Sequence, residues 1–506
     1  MSAHTDHHGK TDPPRLKLPQ IVNHLERSRS NPDPRLSIAE NLAVPLVRYA
    51  WSELSHSLSP RFLRLLTCGA TEALRRSLLS RLVSTGSQAI EFSYWTFRMT
   101  PGVIAKSVNR VPKGCLTKEF LSCSVETEIL LLFRRHPALG RLWAEQVGRW
   151  CRFMAGFLRH AYCFTGLQEV CGFTKGGSIR EIKPDVSDLH SGNRSVIRVR
   201  FANGQTWFYK PRSGNKEKHL FDLLGYLNRR GFRAPFQTVR IVCGTNHCWM
   251  AAVTWRSCRT TKEAGTFFFR AGALLYLLHF LRGVDFHAAN LIAHGSQPMI
   301  TDCETLLHPK TKLPTRFHVE ARSILRVGML PVRRSTKPSS DSISALGRRT
   351  RGTHSVILKG KIVAAADFLE EVIDGFSEMH NLFVRIGQKS AGLASILSKL
   401  RASPGRMILR PTMHYQALLK RSLEPPKLQS CAIRTAFLRE ACCQDSVSAR
   451  QRETEVAALR RGDTPVFYTS PDYPRRLSSD HVTDAIRIIR QALSRDSSQV
   501  GRVDPG

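Results

Sequence analysis

Asp285 and Asn290 stand five residues apart, and Asp302 follows Asn290 by twelve, within the stretch GVDFHAANLIAHGSQPMITDCETLL. Phosphoryl transfer from a nucleotide needs side chains of these types. One carboxylate must orient a hydroxyl and accept its proton, and oxygen ligands must hold one or two Mg²⁺ ions. A cation must also meet the nucleotide phosphates, and Lys210, in the segment YKPR, is the candidate. His287 and Glu304 flank the set and are positioned to add contacts. Taken singly, each of these residues reads as a loop polar group making a turn, and Lys210 as a solvated surface lysine. Their order and joint spacing carry the catalytic reading.

Particular elements must hold such a set. Ser195–Phe201 and Thr206–Lys210 are two β-type runs with Asn203-Gly204 between them, a strong short-range hairpin signal, and Lys210 ends the second strand. A helix follows, with Leu220, Phe221, Leu223, Leu224 and Leu227 as its apolar stripe and Gly231 past its end. Phe236–Val242 and Trp249–Trp255 read as a second hairpin around Gly244-Thr245-Asn246. Thr266–Arg282 is predicted to be a long buried helix that delivers the chain to Asp285. Pro298–Ile300 suits a hairpin strand that returns Asp302 to Asn290. No G-x-G-x-x-G precedes Lys210 and no G-x-x-x-x-G-K occurs, so an ordinary protein kinase and a P-loop enzyme are both excluded.

Outside this region the periodicity is mostly helical. Leu74, Leu78 and Leu82, then Ile129, Leu132 and Phe133, recur at three- and four-residue steps. The expected organisation is a disordered tail over 1–35, a helical N-terminal region over 36–175, and a catalytic core over 176–430. A helical part over 431–493 and a flexible tail over 494–506 complete it. Within the core, 332–355 is predicted to be a mobile loop, and helical periodicity returns over 364–400.

The net charge of +36 points to an acidic partner: nucleotide phosphate, an acidic peptide or nucleic acid. The excess is arginine spread along the whole chain, without an aromatic-interleaved basic stripe or a nucleic-acid module, so nucleic acid is disfavoured. Thirteen scattered cysteines without C-x-x-C, behind an N-terminus with no apolar signal segment, read as reduced thiols in the cytoplasm. No zinc is expected from such spacing, and His4, His7 and His8 read as part of a polar tail. The most apolar run, Ala264–Leu281, is broken by Arg270 and His279 and suits a buried helix better than a membrane span.

Several separated motifs, in order, resemble the dehydratase domain of LanM-type (class II) lanthipeptide synthetases. They are Asp188-Leu-His-Ser-Gly-Asn-Arg194, Tyr209-Lys-Pro-Arg212, Asp285-Phe-His-Ala-Ala-Asn290, and His294-Gly with Asp302-Cys-Glu-Thr-Leu-Leu307. Further along come Ser323–Pro331, Asp341–Leu346, Arg406-Met-Ile-Leu-Arg-Pro-Thr412 with Tyr415, and Gly462-Asp-Thr-Pro465 with Phe467. The resemblance spans roughly 130–480, with His136–Arg141 as a weaker upstream match.

The resemblance implies an α+β, lipid-kinase-like, two-lobed fold behind a mainly helical N-terminal region. It implies that ATP and Mg²⁺ are used to phosphorylate Ser and Thr of a ribosomally made precursor peptide, and the basic charge of the chain would suit an acidic leader on it. Phosphate is then eliminated to leave dehydroalanine or dehydrobutyrine. By motif position, Lys210 would hold ATP phosphates and assist elimination, Asp285 would act on the substrate hydroxyl, and Asn290 and Asp302 would bind Mg²⁺. His287 and Glu304 would support the site, Asp188 would belong to the kinase step, and Arg406 and Thr412 would serve elimination. From their local pattern alone, Arg406 and Thr412 read as a capped surface helix start.

The chain departs from the family pattern at Ala289 and Ala251, where Glu is usual. Full family members carry a C-terminal zinc-dependent cyclase domain, and no Cys-His-Gly zinc motif occurs here, so ring closure is not expected from this polypeptide; a separate cyclase, an uncyclised product and a truncated gene product all stay open. Two other readings stay open. One is a kinase-like phosphotransferase without elimination, which needs Lys210, Asp285, Asn290 and Asp302 but not Arg406 or Thr412. The other is a non-catalytic remnant.

Overall fold

The structure is a computed structural model. It describes residues 17–108, 113–121, 124–167, 178–309, 323–332, 344–347, 355–387, 390–443, 447–469, 473–475 and 477–497. Helices dominate, with small antiparallel sheets, which makes an α+β protein. The chain divides into two compact units, Met1–Pro211 with Pro411–Pro465, and Arg212–Arg410 with Val466–Gly506.

The first unit is built on long helices, Ile38–Ser57, Cys68–Arg98 and Pro137–Thr165. The side chains of Ser37 and Thr67 cap the first two by accepting from Glu40 N–H and Ala70 N–H. Three antiparallel strands follow: β1 (Ile179–Lys183), β2 (Ile197–Phe201) and β3 (Thr206–Lys210). The β2–β3 hairpin forms where Asn203-Gly204 predicts it. Gly204 takes φ +82°, and the Asn203 side chain accepts from Gln205 N–H at 3.0 Å. Ile197, Val199 and Phe201 alternate inward with Trp207 and Tyr209, and the rings of Trp207 and Tyr209 pack on Phe164 and Phe157 of the last long helix.

The loop that carries the DLHSGNR motif is unusual. Ser191, Gly192 and Asn193 all have positive φ, at +48°, +99° and +59°. The Asp463 carboxylate explains how that geometry is held, because it accepts from Gly192 N–H at 2.8 Å and Asn193 N–H at 2.7 Å. The GDTP segment therefore anchors a loop some 270 residues upstream.

Two parts of the expected organisation differ from what folds. Leu18–Arg27 is a helix with Ile21 and Leu25 buried, and Ser30 beyond it bonds Glu126 through N–H and Oγ at 2.8 and 2.6 Å. Polar composition suggested a tail there, but two apolar residues four apart suffice to dock one helical turn on a neighbour. Residues 1–16, with His4, His7 and His8, lie outside the described residues, as does most of 332–355. At the other end, the helix Ser479–Ser497 runs into the stretch expected as a flexible tail.

The second difference concerns boundaries. The helices Thr412–Arg421, Cys431–Cys442 and Ala449–Arg460 belong to the first unit. They enclose a small core of Leu418, Leu438, Val456 and Leu459, closed by a Tyr415 Oη–H bond to Glu455 at 2.6 Å. Gln88 of the N-terminal helices donates to Lys420 O at 3.2 Å. Such contacts tie 411–465 to the N-terminal helices, across the expected border at 430/431.

The second unit centres on the helix Thr261–Phe280, buried at Ala264 and at every position from Phe267 to His279. It begins five residues before the predicted start because Thr260 caps it, accepting from Glu263 N–H at 3.1 Å. It crosses the helix Leu369–Ile386 at close range through two glycines. A Cβ on Gly272 would lie 1.9 Å from Val372 O, and one on Gly375 would lie 1.8 Å from Phe269 O. Gly272→Ala should therefore lower stability by about 1–3 kcal/mol or more, because backbone rather than a movable side chain must give way. Gly265→Ala on the same helix is the control, since its nearest neighbour is the flexible Glu371 at 3.5 Å. Thermal unfolding of the two variants should show a clear drop in Tm for the first only.

The remaining elements of this unit frame the candidate site. They are the helix Asn215–Arg229, the hairpin β4 (Ile241–Cys243) and β5 (Cys248–Ala251), and the hairpin β6 (Leu291–His294) and β7 (Gln297–Ile300). β4–β5 is shorter than predicted because Asn228 takes both the N–H and the C=O of Phe236, at 2.9 and 2.8 Å, and holds that stretch outside the ladder. β8 (Ile357–Leu358) pairs with β9 (Lys361–Ile362), and β10 (Gly405–Met407) with β11 (Phe467–Thr469). Among the described residues no helix is long and apolar enough to cross a membrane.

Candidate active site

The loop after the buried helix is pinned on both sides of Asp285. Val284 C=O accepts from Thr305 Oγ1–H, and Phe286 N–H donates to Val327 O at 2.9 Å with the Phe286 ring buried. Asp285 itself takes φ +66°, a conformation sparsely used outside glycine and tolerated by Asp and Asn. Buried neighbours in sequence and this backbone turn the Asp285 carboxyl to the open side, where 44% of its side chain is accessible. Protein crowds it on its other sides. Burial therefore raises its pKa above the usual aspartate value, and the nearby Asp302 and Glu304 carboxylates add to the rise against the opposing pull of His287 and Arg406.

His287 caps the short 3₁₀ turn Ala288–Asn290 by accepting Ala289 N–H at Nδ1, 3.2 Å away. In the neutral ring that leaves the proton on Nε2, which faces Asp285 Oδ1 at 3.6 Å. Asn290 donates through Nδ2 to Asp285 C=O at 2.9 Å, so its Oδ1 remains an open acceptor. The β6–β7 register then does what the twelve-residue spacing promised. Leu291 pairs with Ile300 and Thr301 N–H donates to Asn290 O at 3.1 Å, which sets Asn290 beside Asp302 at the open end of the hairpin. Gly295 makes the tight turn at the other end with φ +58°.

Asp302 and Glu304 lead into a network of ions. Arg212 bonds Glu217 at 2.6 and 3.2 Å, Asp302 Oδ1 at 2.8 Å and Glu304 Oε2 at 3.2 Å. Arg406, on β10, bonds the other Glu304 oxygen through Nη1 and the Glu304 carbonyl through its own N–H at 2.8 Å. Burial alone would raise the Glu304 carboxyl, but the two guanidiniums outweigh it and hold the pKa below the usual range. Burial would likewise discharge Arg212 and Arg406, and the surrounding carboxylates keep both firmly charged. Close by, Lys216 is buried, donates to Leu306 O at 3.1 Å, and is pushed down to about 8 by burial.

Asp285, His287, Asn290, Asp302, Glu304 and Arg406 are thus brought together in the second unit. Lys210, Asp188 and Thr412 lie in the first unit. Lys210 ends β3 but is only 6% exposed, so it is no solvated surface lysine. Asp188 accepts from Gln416 Nε2 at 3.0 Å, and Thr412 opens the helix Thr412–Arg421 behind Pro411. Arg212 and Glu217 had no role in the spacing argument. Their signal was present as the arginine that closes the Tyr209-Lys-Pro-Arg212 motif and a glutamate in the first turn of the next helix.

The donor set fits a hard cation. Asn290 Oδ1 and Asp302 Oδ2 receive no hydrogen bond among the described residues, and both are oxygens. Among the described residues no group of three or more His, Cys, Asp or Glu could form a closed metal cage. A cation here would take two protein oxygens and complete its shell from water and phosphate, the habit of Mg²⁺.

A family profile described as a domain of unknown function (DUF4135) matches residues 136–357 and 346–470. The chain is also 24% identical over 285 residues to the lacticin 481/lactococcin biosynthesis protein LcnDR2 of Lactococcus lactis subsp. lactis. That match takes in 47% of this chain and 30% of the relative, so the chain spans under a third of the relative's length.

Proposed function

The chain belongs to the DUF4135 domain family, and from that premise we propose that it is an ATP- and Mg²⁺-dependent dehydratase of Ser and Thr in a ribosomally made precursor peptide. The observation that carries the reading is the gathering of Asp285, Asn290, Asp302 and Arg406 around one open carboxyl. The relative's part in lacticin biosynthesis supports a peptide as substrate. The resemblance supplies the lipid-kinase-like two-lobed fold.

In the first step Asp285 orients the peptide hydroxyl and takes its proton as the oxygen attacks the γ-phosphorus, while the bond from that phosphorus to the bridging oxygen breaks and ADP leaves with the electron pair. A raised pKa makes it a better base than an ordinary aspartate. His287 Nε2–H faces that carboxylate and steadies its charge. Asn290 Oδ1 and Asp302 Oδ2 would hold Mg²⁺, which when bound neutralises charge on the nucleotide phosphates. In the second step a base takes the Cα proton, the Cα–H electron pair becomes the Cα=Cβ double bond, and the Cβ–O bond breaks so that phosphate departs with its electron pair. Arg406 offers the positive charge for that leaving group. The resemblance gives Lys210 the nucleotide phosphates and assistance in elimination, Asp188 a part in phosphorylation, and Thr412 a part in elimination.

A second reading has its own support. Arg406 is already paired with Glu304, so it can be a strut of the cation site in a phosphotransferase that never eliminates. Mass spectrometry decides between the two. The purified chain, ATP and Mg²⁺ are incubated with a Ser/Thr-rich candidate precursor peptide. Loss of one water per modified residue is the expected result. Gain of phosphate without water loss would leave only the phosphotransferase, and an unchanged peptide would refute both.

A further inference from the structure

Arg212 links the two ends of the site, and three carboxylates close on it. Its fork meets Glu217 twice, Asp302 once and Glu304 once. Glu217 is fully buried, Glu304 is 13% exposed and Asp302 is 38% exposed. The guanidinium is therefore anchored from the inside and reaches outward to Asp302. On Asp302 it bonds Oδ1, which also accepts from Glu304 N–H at 3.2 Å, while Oδ2 is left without a donor among the described residues. A carboxylate pinned through one oxygen and open at the other is how protein holds a metal ligand from behind. Arg212 also shares Glu304 with Arg406, one guanidinium on each carboxylate oxygen. A lysine has no planar fork with which to meet three acceptors at fixed angles.

We infer that Arg212 is a positioning residue, aiming Asp302 at a divalent cation and, through Glu304, fixing Arg406 for an anion. The inference rests on the reading of Asn290 and Asp302 as cation ligands. It gives Glu217 a role as well, as the buried anchor that keeps the fork from turning.

Mn²⁺ is the probe, with free ion read by electron paramagnetic resonance in the absence of nucleotide and peptide. Wild type, Asp302→Asn, Arg212→Lys and Glu217→Gln are titrated, and folding of each is checked by circular dichroism. Arg212→Lys is expected to weaken Mn²⁺ binding by about tenfold or more, the usual effect of removing the partner of a ligand. Glu217→Gln keeps both the guanidinium and Asp302 and is expected to weaken binding by about threefold or more. It serves as the test should Arg212→Lys fail to fold. If Asp302→Asn abolishes binding while the folded variants at Arg212 and Glu217 bind like wild type, the positioning role is overturned and the cation reading survives. If wild type does not bind Mn²⁺, or Asp302→Asn binds it unchanged, the cation reading fails and the inference fails with it.

Discussion

Asp285→Asn is expected to slow phosphate transfer to a peptide hydroxyl by about 10²–10⁴-fold while leaving the fold intact. The substitution keeps the size of the side chain, and Asn accepts a positive φ as readily as Asp, so the +66° backbone persists. Asn290 bonds the carbonyl of residue 285 rather than its side chain, so Asn290 stays in place. Only the proton acceptor is lost. The pH dependence supplies a second readout. Burial raises the Asp285 pKa, and in the proposed mechanism the carboxylate form is the working base. Activity should therefore be present above the raised pKa and fall as pH drops through it, at a higher pH than an ordinary aspartate would give. In a profile of kcat/KM against pH, the residual activity of Asp285→Asn should lack that acid limb. A folded variant that keeps wild-type rates would remove Asp285 from the chemistry.

Arg406→Ala is expected to leave phosphorylated peptide accumulating, with elimination slowed by about 10²–10³-fold. The change removes one of two guanidiniums on Glu304, and Arg212 remains as counter-ion, so the buried carboxylate is not stranded. A synthetic phosphoserine peptide, supplied without ATP, isolates the second step. Wild type should release phosphate from it and Arg406→Ala should not. If the variant releases phosphate like wild type but phosphorylates poorly, Arg406 is a strut for Glu304 and the cation ligands. Liquid chromatography with mass detection of both peptides distinguishes these results.

Local signals were legible wherever the fold is made of near neighbours. Asn203-Gly204 announced the β2–β3 turn, the leucine stripe announced Asn215–Arg229, and the run into Asp285 announced the buried helix. The twelve residues from Asn290 to Asp302 matched a short hairpin, and the β6–β7 register sets the two side by side. The helix Leu18–Arg27 was missed because only Ile21 and Leu25 mark its buried face, and polar composition outweighed them. The grouping of 411–465 with the N-terminal helices was equally out of reach, because no local period records which neighbour a helix packs on.

Residue types and spacings by themselves pointed to a candidate base, candidate cation ligands and the hairpins and helices that carry them. All of that follows from relations within a turn or a strand, where backbone geometry leaves few choices. Tertiary structure alone decided that Arg212 is part of the site. It meets Asp302 across 90 residues of chain, and Arg406 meets Glu304 across 102. Bonds of that span exist only after the hydrophobic core has brought distant segments together. Burial then turns an arginine near a strand end into the charge that orders three carboxylates.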